Sequence, residues 1–227
     1  MQVLTSVHFE LVSGLLTDGK CPTTSLISKK LSLSFEEIEA ALCELSETHG
    51  LVLHPDRIEP WVIHPFSLTP TLNFIESADR GWWAPCIWCA MGVAHLVGGK
   101  VKIHTRIGAE SEAVVIDVVN GVSVSKLDLK VHFAIPPSRA WNNVHEHCSM
   151  VLPFHSESQA DDWCHRHGLP KGRLVSLMQV SDLAGAWYGS HSSPNWHKWS
   201  MVEAQQIFEQ SGFVGDFWNL GSTAGGF

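Results

Sequence analysis

Residues 82–92 read WWAPCIWCAMG, and the apolar, helix-compatible run that follows closes only at Gly98-Gly99. This stretch constrains the fold more than any other, because an apolar helix belongs against a core and this one begins on two cysteines, Cys86 and Cys89. A C-x-x-C by itself admits a redox disulfide, half of a zinc knuckle, a reactive thiol site or a packed corner of the core. The rest of the chain has to separate them.

At 227 residues and 44% hydrophobic, the chain holds enough apolar surface for one sizeable domain or slightly more. Six cysteines in that length are far below the density of a disulfide scaffold, so thiol or metal chemistry outranks structural bridging. The 15 basic residues against 23 acidic ones give a net charge of −8, and no basic run exceeds Lys29-Lys30. A nucleic-acid partner is not expected without a basic footprint. Nor is a membrane partner, since no apolar stretch reaches the roughly 18–20 residues a bilayer span needs. The opening MQVLTSVHFELVSG lacks the charged start and cleavage site of a signal peptide, which predicts a cytoplasmic location. Ten tryptophans are expected to fill mostly core, while 14 histidines keep metal binding open.

Residues 1–63 are predicted to form a winged-helix-like unit of three helices and a hairpin. Ser34 and Glu37 form a capping box opening a helix whose Ile38, Leu42 and Leu45 share one face, and the hairpin turns at His54-Pro-Asp-Arg57. Glu36, Glu37, Glu39, Glu44 and Glu47 on that helix favour a structural module over a DNA reader. Residues 64–227 form the second unit. A linker with Pro65 and Pro70 leads to the C-x-x-C helix and then to strands in KVKIHTRI, EAVVIDVV and SKLDLKVHFAIP. WNNVHEHCSMVLPF reads as a helix giving way to an apolar strand, SESQADDWCHRHG as a helix, and RLVSLMQVSDLAGAWYGSH as strand then helix. Ser200 and Glu203 open a last helix before STAGGF, a tail expected to fray. The predicted class is α+β: the helical unit, then an antiparallel or mixed sheet core with flanking helices.

A thioredoxin-like redox site needs a βαβ frame around its C-x-x-C, and a helical unit followed by a strand meander does not supply one. A structural zinc site needs a second ligand pair. Only the mixed runs His145-x-His147-Cys148 and Cys164-His165-x-His167 offer one. Asp161, Asp162 and Cys164 are read as capping and packing residues.

WAPCIWCAMGVAHLVGGKVKI, the distant Cys148 in HEHCSMVLPFHSESQADDWCHRHGL, and the following RLVSLMQVSDLAGAWYG together resemble the core of the organomercurial (alkylmercury) lyase family. In that family a catalytic cysteine and an aspartate stand as Cys-x-x-Asp at a helix start, and a second catalytic cysteine lies some sixty residues on, before an acidic-Asp-Trp step. Cys86 falls on the first cysteine, Cys148 on the second, and Asp161-Asp162-Trp163 on the step, over roughly residues 60–190. Cys89 falls on the aspartate, so the resemblance implies a catalytic set of Cys86, Cys89 and Cys148.

The implied reaction is thiol capture of an organomercurial and protonolysis of its carbon–mercury bond, giving hydrocarbon and Hg(II). It needs no cofactor, and low-molecular-weight thiols carry the product away. Thiolates suit mercury because both are soft. Cys86 would capture the metal, and Cys89 would stand where the family keeps its proton-relaying acid, with a reference pKa of about 8.5 instead of about 3.9. Cys89 would also compete as a third soft ligand, so a slow or altered reaction is expected. The alternatives are a thiolate site for Cu(I) or zinc, with His145 and His147 as further ligands, or a biosynthetic enzyme on the same fold, or a C-x-x-C redox protein. Trp82, Trp83 and Trp88 are expected to form a desolvating collar.

Overall fold

The computed structural model describes residues 2–139 and 143–221, so Trp141 and Asn142 of the expected WNNVHEH helix and the STAGGF tail lie outside the described residues. Three helices come first: α1 (Gln2–Asp18), α2 (Thr24–Leu31) and α3 (Phe35–Glu47). α3 begins at its capping box, with the Glu37 N–H donating to Ser34 Oγ at 3.2 Å and the Ser34 N–H donating to the Glu37 carboxylate at 2.8 Å. Two N–H groups that a helix start leaves unpaired are thereby satisfied. Ile38, Leu42 and Leu45 are buried along one face, as the 3.6-residue period requires.

The hairpin of β1 (Leu51–His54) and β2 (Arg57–Ile63) turns where the sequence places it. β3 (Phe66–Ser67), β4 (Asn73–Glu76) and β5 (Gly81–Ala84) follow, then α4 (Ile87–Val97), β6 (Lys100–Arg106), β7 (Ala113–Val119) and β8 (Val122–Ser123). All eight strands join one antiparallel sheet in the order β1-β2-β3-β5-β4-β6-β7-β8. The stretch read as a linker after Pro65 thus contains β3, whose Ser67 pairs with Val62 on one side and Trp83 on the other. Two residues are too few to show a period, yet they make the sheet continuous from the hairpin onward.

β6 fixes which face of that sheet is wet. Its Lys100, Lys102 and Arg106 are exposed while Val101, Ile103 and Thr105 are buried, the alternation a pleated strand imposes. Ile103 stands opposite Ile116 and Val101 opposite Val118, so β7 extends the same apolar face. α4 packs on the sheet. Every residue from Ile87 to Ala94 is buried, which explains a helix with no polar side: it has no solvent face to maintain.

The remaining elements are β9 (Lys130–Phe133), α5 (Val144–Ser149), β10 (Val151–Phe154), α6 (Glu157–His167), β11 (Arg173–Ser176), α7 (Leu177–Tyr188) and α8 (Met201–Gln210). β10-β9-β11 form a second, antiparallel sheet, and the fold is α+β. α6 is capped by Ser156, whose Oγ accepts from the Gln159 N–H, and not by Asp161 or Asp162. Capping acts on the first turn alone, and Asp161 lies beyond it, paired instead with Lys171 at 2.9 Å. Cys164 is buried, with its sulfur 3.6 Å from His132 Nε2.

α4 and α7 approach closely because each turns a glycine toward the other. A Cβ on Gly92 would lie 2.3 Å from the Tyr188 ring, and one on Gly185 would lie 2.7 Å from the His95 ring. His95 Nε2 meets the Ser181 carbonyl of α7 at 2.9 Å, and with that acceptor the nitrogen is the donor. Gly92→Ala is expected to destabilise the fold by about 1–3 kcal/mol through overpacking. Urea unfolding measures this, and an unchanged midpoint would show that the Tyr188 ring gives way freely.

Candidate functional site

The strand–helix corner before α4 is held from three sides. Thr71 Oγ1 donates to the Ala84 carbonyl at 2.7 Å, Asn73 Nδ2 donates to the same oxygen at 3.5 Å, and Thr105 Oγ1 donates to Asn73 Oδ1 at 2.8 Å. With Ala84 pinned, Pro85 leads to Cys86 at the N-cap of α4, where its extended backbone lets Sγ accept from the Cys89 N–H at 3.4 Å. An N-cap side chain and the residue three later meet by helix geometry, so the first two sulfurs are brought together locally. The third arrives from the other sheet. α5 is opened by Asn143, whose Oδ1 accepts from the Glu146 N–H at 3.1 Å, and it runs into β10, whose four residues are all buried. That anchored strand holds Cys148 over the start of α4.

The sulfurs of Cys86, Cys89 and Cys148 all lie within 4.8 Å of one another, and all three residues are buried. Cys89 Sγ also meets Tyr188 Oη at 3.4 Å and His64 Nδ1 at 4.0 Å. Burial raises a thiol by disfavouring its anion, and it pushes Cys86 well above the ordinary range. Contacts with Cys86 and Cys89, and then burial, do the same to Cys148. For Cys89 burial works upward too, but polar contacts with Cys148, Cys86 and His64 outweigh it and hold this thiol well below the ordinary range. Tyr188 is raised by burial and by the Cys89 charge, so its hydroxyl keeps its proton and donates to the sulfur. Of the three sulfurs, Cys89 is thus the one whose surroundings most favour the anion.

A cavity of about 50 Å³ adjoins Cys148 and is walled by His64, His147, Tyr188, His191, Lys198 and aromatic rings of Trp88, Trp187 and Phe208. Burial lowers His147 to about 4, against the opposing pull of Cys89, and lowers Lys198 to about 7. Both His147 ring nitrogens, His64 Nε2 and His191 Nδ1 have no hydrogen-bond partner among the described residues. On the other side of Cys148 a pocket of about 240 Å³ is lined by Trp61, Thr69, Pro85, His145 and Ser149, among others.

Of the residues expected from sequence, the three cysteines converge, while His145 and His147 flank Cys148 on different sides and stand outside the sulfur cluster. The expected tryptophan collar does not form. Trp83 is 37% exposed, and Trp82 donates from Nε1 to the Leu15 carbonyl of α1 at 2.7 Å. Only Trp88 reaches the site, where Trp187 at 5.6 Å and Phe208 at 5.9 Å complete the dry wall. Strand alternation is the reason: adjacent Trp82 and Trp83 must point to opposite faces of β5. His64, Tyr188, His191 and Lys198 join the site without any signal in the sequence. No local spacing marks them, although Tyr188 is the single tyrosine of the chain.

The family model for alkylmercury lyase matches residues 66–189. Among solved structures, the crystal structure of the mercury-bound form of MerB2 shares 18% sequence identity and superposes with a TM-score of 0.62, covering 83% of this chain and 88% of that one. No curated protein matches the chain in sequence. A family match spanning more than half of the sequence and including all three converging cysteines places the chain in the alkylmercury lyase family.

Proposed function

We propose that this protein cleaves organomercurials, with Cys86 and Cys148 as the two mercury ligands and Cys89 as the proton carrier between them. The observation that carries this is the convergence of three buried sulfurs, with Cys89 favoured as the anion. An organomercury–thiol adduct R–Hg–SR′ exchanges its thiolate for one of the flanking cysteines. A new S–Hg bond forms, R′S⁻ leaves, and the cysteine's proton passes to the Cys89 thiolate. Cys89 then protonates the carbon, and the C–Hg electron pair becomes the new C–H bond. The remaining flanking thiol binds mercury and hands its proton back to Cys89. The products are R–H and a dithiolate of Hg(II), and no atom changes oxidation state. This is general acid catalysis joined to capture by a soft ligand.

The carboxylate that the resemblance places at this position is acidic without help. A thiol there needs its neighbours, and His64 and Tyr188 supply them by holding the Cys89 anion. Tetrahedral zinc or three-coordinate Cu(I) would also suit three sulfurs at bonding reach, since thiolate–metal bonds run about 2.3 Å. That second reading rests on the same cluster. The redox reading is weakened, because a reactive C-x-x-C depresses its helix-starting thiol and here burial raises Cys86 instead.

Incubation with phenylmercury or methylmercury and excess thiol should release benzene or methane, and Cys86→Ser or Cys148→Ser should reduce that release by about 10²–10⁴-fold. Release unchanged in both variants would sink the assignment. The pH profile follows from the signs. Cys89 is lowered, so the anion persists on the acid side of the ordinary thiol titration. Cys86 and Cys148 are raised, so their protons persist on the alkaline side. Single-turnover cleavage should therefore run level through about pH 8.5, where an isolated thiol titrates. A rate rising with an ordinary thiol ionisation would contradict Cys89 as the favoured anion. For the metal-site reading, protein expressed in ordinary medium should carry stoichiometric copper or zinc; a metal-free protein that also refuses added Cu(I) and Zn(II) excludes it.

A further inference from the structure

Cys148 belongs to two spaces at once. One is the small inner cavity among the histidines; the other is the outer pocket of about 240 Å³. His145, Cys148 and Ser149 all line the outer pocket, because residues three and four apart share a helix side, and α5 presents that side to it. Cys148 is also the least enclosed of the three thiols, at 6% exposure against 1% for Cys86 and 1% for Cys89. His145, Ser149 and Pro70 on the rim are exposed, so the outer pocket is the side from which a ligand reaches the sulfurs.

Its wall is built around Trp61. The indole donates from Nε1 to Thr69 Oγ1 at 2.8 Å, lies parallel to His54 at 5.3 Å and meets His145 at 5.0 Å, so the ring is fixed in place. The hydroxyls around it are occupied: Ser67 donates to the Thr69 carbonyl at 2.8 Å and Thr71 to the Ala84 carbonyl at 2.7 Å. Next to the thiol the pocket therefore offers the Trp61 ring and the prolines Pro70 and Pro85, beside the His145 imidazole and these hydroxyl side chains. An apolar cavity of about 150 Å³ is large enough to bind benzene.

We propose that this outer pocket is the binding site for the organic group of the substrate, that Cys148 meets the mercury first, and that the Trp61–His145 wall selects aryl over methyl mercurials. The proposal rests on the thiol-site reading above and adds a substrate preference to it. A methyl group leaves most of the wall untouched, whereas a phenyl ring gains an aromatic contact worth up to about tenfold in an equilibrium constant.

The test reads binding, so it does not depend on turnover. Phenylmercury and methylmercury, each presented as its glutathione adduct, are titrated into the protein, and the transfer equilibria are compared for wild type, Trp61→Ala and His145→Ala. Wild type should take phenylmercury about tenfold better relative to methylmercury, and Trp61→Ala should erase most of that ratio while methylmercury transfer stays within about twofold. Trp61→Phe, which keeps an aromatic ring, should retain part of the preference and guards against misfolding as the cause. Equal transfer of the two mercurials to wild type, or a ratio unchanged in Trp61→Ala, overturns the pocket assignment. Failure of the cleavage reading looks different: mercurials bind with the aryl preference, but no hydrocarbon is released.

Discussion

The desolvation of three sulfurs at one end of α4 is the condition on which the rest of the site depends. In water each thiol would titrate alone, near its usual value. Packed together without solvent, they cannot all ionise, because like charges a few ångströms apart in a poorly polarisable medium repel strongly. Which sulfur most readily carries negative charge is then decided by which receives the most polar contacts. Cys89 receives them from Cys86, Cys148 and His64, and Tyr188 adds a fourth group. Burial and charge placement are therefore one arrangement: the same packing that raises Cys86 and Cys148 favours the anion at Cys89.

That packing explains features far from sulfur. α4 has no polar face because the sheet, α7 and β10 all touch it. Gly92 and Gly185 let α7 come close enough for Tyr188 to reach Cys89, so small residues remote from the chemistry set a 3.4 Å contact within it. The threonine–asparagine hydrogen bonds at Ala84 fix the corner from which Cys86 starts the helix. Arg80 and Trp82 donate to the carbonyls ending α1, the former to Leu16 and the latter to Leu15, tying the N-terminal helices to the strand that leads into the site.

What the sequence discloses follows from how local each cause is. The capping boxes of α3 and α8, the alternation of β6 and the glycine end of α4 are decided within a few residues, and each reads directly from its own segment. Cys86 and Cys89 are paired by one helical turn, whereas Cys148 joins them across two sheets, and only the resemblance to a family links it to them beforehand. β3 was too short to show a period. No tryptophan collar forms because closeness in sequence is not closeness in space: strand geometry sends Trp82 and Trp83 to opposite faces of β5. His64, Tyr188, His191 and Lys198 reach the site from a loop, a helix end and a C-terminal segment, so no spacing in the chain brings them together before the fold does.

The two sides of Cys148 differ in a way that suits a reaction with a charged metal and an apolar leaving group. On the inner side, His147 is held neutral by burial, next to the sulfurs that exchange protons. On the outer side stand an indole whose N–H is already bonded and hydroxyls already spent on the backbone, which offer apolar surface and little competition for a proton. On the proposed mechanism the proton for carbon comes from the sulfur side, where Cys89 meets its polar partners. On that mechanism, Cys89 in the place of a carboxylate leaves the direction of proton flow unchanged and moves the work of favouring the ionised form from the group's own acidity to His64, Tyr188 and the two neighbouring thiols.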